Sequence, residues 1–145
     1  MRKYTLLALL TGVLAIAPMS YADDALYKSL GGKKAITAVV NDFVGRCATD
    51  TRINSFFADT AKDPKRLAKF KNNLVDQICE AAGGPCKYNG KDMKTAHAGM
   101  GIGGADFDAL VQNLVASLDK FKVKEADKNA LLGVLGPMKK DIVTK

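Results

Sequence analysis

Tyr88-Asn89-Gly90-Lys91-Asp92-Met93-Lys94-Thr95-Ala96-His97-Ala98-Gly99-Met100-Gly101-Ile102 is the stretch that decides how this chain folds and what it holds. It contains the only histidine among 145 residues. A neutral imidazole is the side chain best suited to ligate a transition metal near neutral pH. Met93 precedes His97 by four residues, so one helical turn sets both on one face. Gly90 and Gly99 bracket a very short helix, because glycine frees the backbone at both ends. A solitary histidine is also an ordinary surface residue, and composition alone does not separate the two readings.

Upstream of this stretch the apolar pattern is helical. A short helix fits Asp24 to Leu30, and Gly31-Gly32 breaks it. Ile36, Val39, Val40, Phe43, Val44 and Cys47 follow at the spacing of one buried stripe. Thr49-Asp50-Thr51 ends that helix, and Ile53, Phe56 and Phe57 form a compact apolar corner. Asp63-Pro64 opens the next helix: the carboxylate caps free amides and proline suits the first turn. That helix carries Leu67, Phe70, Leu74, Ile78 and Ala81 on one face, and Gly83-Gly84-Pro85 stops it.

Downstream, Gly103-Gly104 opens a helix with the stripe Phe107, Leu110, Val111, Leu114, Leu118 and Phe121. A last helix is expected from about Lys124 to Ile142, with Ala130, Leu131, Val134, Leu135, Met138 and Ile142 facing in. Pro137 must kink or interrupt it. No segment sustains the two-residue alternation of a strand. The expectation is an all-α domain of four main helices of roughly 15–20 residues plus two short ones. Such a bundle buries one core and can leave a slot between helix pairs for a flat apolar ligand.

The N-terminal stretch reads as an export signal. Arg2 and Lys3 precede an apolar run from Leu6 to Ala17, Pro18 ends it, and Ser20-Tyr21-Ala22 has the small-x-small form of a cleavage site. The run is about 12 residues, short of the roughly 20 that span a bilayer. Residues 1–22 are therefore expected to be removed, leaving 23–145 as one domain exported to the periplasm, with no stable membrane span. Removal of Arg2 and Lys3 lowers the formal net charge from +7 to +5. The remaining lysines alternate with acids and are not interleaved with aromatics, which argues against nucleic-acid binding. In an oxidising compartment two of Cys47, Cys79 and Cys86 can pair. A turn at Gly83-Gly84-Pro85 would bring Cys79 to Cys86, but pairing of Cys47 with either stays open. None of the cysteines has zinc spacing.

Taken in order, several words of the sequence resemble the truncated haemoglobins, most closely their first group. Leu26-Tyr27-Lys28-Ser29-Leu30-Gly31-Gly32 resembles the opening of that family. Asp42-Phe43 and Ile53-Asn54-Ser55-Phe56-Phe57 resemble its second helix and following corner. Ala81-Ala82-Gly83-Gly84-Pro85 and the segment Tyr88 to His97 resemble its second diglycine and proximal-histidine region. Phe107-Asp108-Ala109-Leu110-Val111 and Leu132-Gly133-Val134-Leu135-Gly136-Pro137 also fit, so the resemblance spans about residues 26–143.

The resemblance implies a two-over-two helical sandwich holding haem b, with His97 as the proximal iron ligand. It implies cofactor contacts from Phe57, Phe70, Leu74, Tyr88, Met93 and Ile102. Phe57 would pack on the porphyrin, Met93 would wall the proximal side and Tyr88 would reach a propionate. The distal pocket would be formed by Phe43, Val44, Phe70, Leu74, Gln77 and Ile78. Two positions depart from the family. Val44 stands where a tyrosine is usual, and Leu74 where glutamine is common, which leaves Gln77 as the nearest amide. A second histidine that could close the sixth iron position does not exist, and Lys71 or a methionine would need rearrangement to do so.

The resemblance implies reversible binding of O2, CO or NO. A haem enzyme acting on NO or peroxide is the alternative. It would need an external reductant, and a lysine-rich surface could dock an acidic electron-donor protein. A haem-free helical interaction module would leave the Met93/His97 turn without a purpose.

Overall fold

The computed structural model describes residues 23–145. The expected export segment, residues 1–22, lies outside the described residues. In chain order the helices are α1 (Ala25–Ser29), α2 (Gly32–Thr49), α3 (Ala58–Lys62), α4 (Pro64–Ala81), α5 (Met93–Ala96), α6 (Gly104–Lys120), α7 (Glu125–Leu135) and α8 (Lys139–Ile142). Two 3-10 turns, Asn54–Phe57 and Gly136–Met138, join α2 to α3 and α7 to α8. Among the described residues there is no strand, and no helix is long and apolar enough to cross a membrane.

Local chemistry sets most of the boundaries. Gly31 and Gly32 take φ of +95° and +77°, a left-handed pair that separates α1 from α2. The Asp63 carboxylate accepts from the Lys65 and Arg66 amides at 2.9 and 3.2 Å, and Pro64 occupies the first turn of α4. Pro137 interrupts the expected last helix, leaving α7 with 11 residues before the 3-10 turn.

Packing gives the two-layer arrangement. α2 lies against both α4 and α6, and α4 also meets α7. All six residues of the expected α2 stripe, Ile36 to Cys47, are buried. Elsewhere the buried faces differ from the sequence stripes. On α4, Val75 and Cys79 are buried beside Ile78, because this helix is covered by more than one neighbour. Phe121, expected inside, is 43% exposed at the end of α6. Ala130 and Val134 are exposed on α7, where Leu131 alone of the expected apolar set is fully buried. The shortened helix presents one narrow line to the core rather than a broad face.

One polar cluster ties α2 to α6. The Asp42 carboxylate accepts from Lys120 Nζ at 2.8 Å, Arg46 Nε at 2.7 Å and Ser117 Oγ at 2.7 Å. Ser117 is wholly buried. These donors, Lys120 foremost, hold the Asp42 carboxyl well below the ordinary carboxylate range. A depressed folded-state pKa means that the anion's stabilising contribution is complete above the unfolded value, about 3.9, and fades as pH falls below it. Asp42→Ala is expected to lower stability by about 2 kcal/mol at neutral pH. Urea unfolding of both proteins across pH checks this, and their difference should shrink as pH falls below about 4.

Candidate functional site

The Asp92 carboxylate opens α5 by accepting from the Thr95 amide at 3.1 Å. Hydrogen bonding to Thr95 keeps that carboxyl below its usual range, so it remains the anionic cap. α5 is only four residues long, and His97 is its C-cap. Gly99 and Gly101 then take φ of +75° and +66°, turning the chain away at once. The Thr144 amide donates to the Ile102 carbonyl at 2.9 Å and ties the C-terminal segment to this loop.

The half-buried His97 ring has a defined orientation. Its Nδ1 lies 2.8 Å from the Met93 carbonyl, which also accepts from the His97 amide at 3.1 Å. A carbonyl oxygen only accepts, so Nδ1 must carry the proton. Nε2 then keeps its lone pair for a metal, and a carbonyl that accepts the other ring N–H is the usual support of a ligating histidine.

A bare ion would need more ligands than this. No group of three or more His, Cys, Asp or Glu side chains that could hold a metal occurs among the described residues. An iron already held by the four nitrogens of a porphyrin needs only one axial imidazole from the protein. Apolar side chains suited to that group lie on α4, on α5 and in the corner before α3. Phe57 and Phe70 pair with ring centroids 5.9 Å apart and planes tilted by 53°. Leu67, Phe70 and Leu74 of α4 and Met93 of α5 are only half-buried, though they are apolar. A flat macrocycle would cover such surface, gaining about 25 cal/mol for each Å² removed from water. The residues present therefore fit a haem.

A cavity of about 140 Å³ lies between α2, α3 and α4. Val44, Phe57 and Phe70 line it together with Thr60, Leu67 and Lys71. The structure thus brings three of the sequence-expected pocket residues to one space. It places Phe43 and Ile78 in the hydrophobic core. Gln77, read from the sequence as a distal residue, turns its amide to the sulfurs of Met93 and Met138 at 3.3 and 3.5 Å. The Tyr88 hydroxyl donates to the Lys91 carbonyl at 2.5 Å, and Ile102 is buried. A side chain at Gly90 would strike the Tyr88 ring, so glycine is required there. Cys79 and Cys86 form the disulfide, with Cα atoms 5.7 Å apart, and Cys47 is a buried free thiol. Burial pushes that thiol up to about 12, which keeps it protonated and inert.

Comparison with known proteins agrees with this geometry. Residues 25–144 match the family model described as bacterial-like globin. The group 1 truncated hemoglobin of Tetrahymena pyriformis is 33% identical over 122 residues, covering 84% of this chain and 97% of that protein. The chain belongs to the group 1 truncated haemoglobins. The Nostoc member of the group is likewise 33% identical over 122 residues, 84% of this chain and 99% of its own. Among solved structures, the T. pyriformis protein in its Fe(III) form superposes with a TM-score of 0.74 at 32% identity, covering 83% of this chain and 98% of that one. The 2/2 hemoglobin of Synechococcus, solved in the cyanomet state with covalently attached heme, gives a TM-score of 0.74 at 30% identity over the same shares. The cofactor of this truncated haemoglobin is an iron-bearing haem. His97→Gly is expected to lose the sharp Soret band of an imidazole-ligated haem. Added imidazole should restore it, as an absorbance titration will show.

Proposed function

We propose that this truncated haemoglobin reversibly binds O2, CO or NO outside the cytoplasm. The observation that carries the reading is the His97 ring, with Nδ1 committed to the Met93 carbonyl and Nε2 left with its lone pair. The iron supplies the bond to the gas, and the chain's own residues decide how long the gas stays. His97 would hold the iron, and Phe57, Phe70, Leu74 and Met93 would shield the haem from water. Tyr88 faces the same loop, and its phenol stays protonated because burial and then the Asp92 charge raise its pKa.

Val44, Phe70 and Leu74 offer no hydrogen-bond donor to a ligand. O2 draws negative charge when it binds a ferrous haem, so a donor retains it, whereas CO and NO gain less. The donors on the cavity wall belong to Asn41, Thr60 and Lys71, so a ligand seated against Val44, away from those groups, is released fast. Export is supported by the pattern of residues 1–22 and by the Cys79–Cys86 disulfide, a bond that persists in oxidising compartments.

A second reading, turnover of NO or peroxide with an external reductant, draws support from charge. Lys62, Lys65, Arg66, Lys69 and Lys71 crowd ten residues around the start of α4, and among the described residues none of them forms an ion pair. Such a face suits an acidic electron-donor protein. Turnover measured with NO or peroxide and a reductant separates the two readings.

Val44→Tyr tests the pocket. It should slow O2 dissociation in stopped-flow experiments about tenfold, the kinetic equivalent of a hydrogen bond near 1.4 kcal/mol, and change CO dissociation much less. An unchanged O2 rate would contradict a ligand seat beside Val44 that lacks a donor.

A further inference from the structure

The connection from α4 to α5, residues 82–92, contains no helix or strand. It nevertheless has to deliver the iron ligand to a fixed place. A four-residue helix cannot hold itself together, because its few internal bonds do not offset the cost of nucleation. The position of His97 must therefore come from the packing of α5 on α8, from the Thr144–Ile102 bond and from what the connection is tied to.

The structure shows a continuous series of ties. Cys86, 9% exposed, is bonded to Cys79, which is fully buried on α4. Two residues on, the Tyr88 amide donates to Glu80 Oε2 at 2.6 Å, back to the same helix. The Tyr88 hydroxyl donates to the Lys91 carbonyl, and Asp92 caps α5. Met93, the first residue of α5, presents the carbonyl that orients the His97 ring. Only one tie in this series is covalent. Tyr88–Glu80 is exposed and competes with water, and the Gln77 amide reaches Met93 only through a thioether, a weak acceptor.

We propose that Cys79 and Cys86 are positioning residues for the iron ligand: their disulfide fastens the histidine-bearing segment to α4, which carries Phe70 and Leu74, and thereby slows loss of haem. The inference rests on the haem-binding reading of the site. The physical cause is pre-organisation. A segment already confined near its bound position loses less freedom when the cofactor is held, so the bound state is favoured and escape is slower. Cys79 has no exposed surface and Cys86 is buried at its side, so a soluble thiolate has little access to either sulfur. The bond is thus a permanent brace, suited to an oxidising compartment.

The test uses the haem-loaded full chain, with Cys47 unchanged throughout. Haem loss to excess apomyoglobin and the iron–histidine stretching band of the ferrous, gas-free protein are measured. The variants are Cys79→Ala/Cys86→Ala and a Gly-Gly insertion between Lys87 and Tyr88. The insertion keeps the disulfide but uncouples it from His97. Both variants should lose haem at least about tenfold faster and show a shifted or broadened band. If the double variant does not fold, the insertion variant decides alone. Haem loss within about twofold of the parent, with an unchanged band in a folded and loaded insertion variant, overturns the proposal. A parent protein that shows no Soret band with added haem overturns the haem reading instead, and this inference with it.

Discussion

A single backbone carbonyl sets the orientation of the one imidazole in this protein. The Met93 oxygen accepts the Nδ1 proton of His97, and with it the ring loses its choice of tautomer and most of its freedom to turn. Without that bond the imidazole would sample both protonation isomers, and Nε2 would face a metal only part of the time. The short α5 exists to place that carbonyl. Its cap at Asp92, its four-residue length and the left-handed glycines beyond it serve one atom's position.

The rest of the molecule can be understood as the frame for that atom. α2 contributes a fully apolar face to the core, and the Asp42 cluster holds it against α6. α4 does two jobs at once. Val75, Ile78 and Cys79 enter the core, while Leu67, Phe70 and Leu74 stay half-buried, the first two of them on the cavity wall. A helix that served the core alone would have no reason to leave three large apolar side chains partly in water. The same helix anchors the disulfide, so the wall of the pocket and the route to the ligand share one rigid element.

Features written in local chemistry were legible in the sequence. Asp63-Pro64 starts a helix, Gly31-Gly32 breaks one, and Pro137 interrupts one, because each acts within a few residues of itself. The histidine segment was legible for the same reason. Features decided by distant neighbours were not. Gln77 faces Met138, 61 residues away, and no local pattern announces that meeting. Burial of Val75 depends on how many helices cover α4, and a single stripe cannot express it. Val134 follows helical spacing yet lies exposed, because α7 stops soon after it and no neighbour covers that side. Three cysteines allow three pairings, and only the folded chain selects Cys79 with Cys86.

Because the chain has only one histidine, the decisive measurement is unusually clean. Protein labelled with 15N-histidine and studied by NMR as the diamagnetic ferrous CO complex reports a single imidazole. Bound haem should shift the Nε2 resonance as it joins the iron, while Nδ1 keeps its proton and its coupling. A ring whose two nitrogen signals are the same with and without haem would show that His97 does not hold the iron, and would contradict the account.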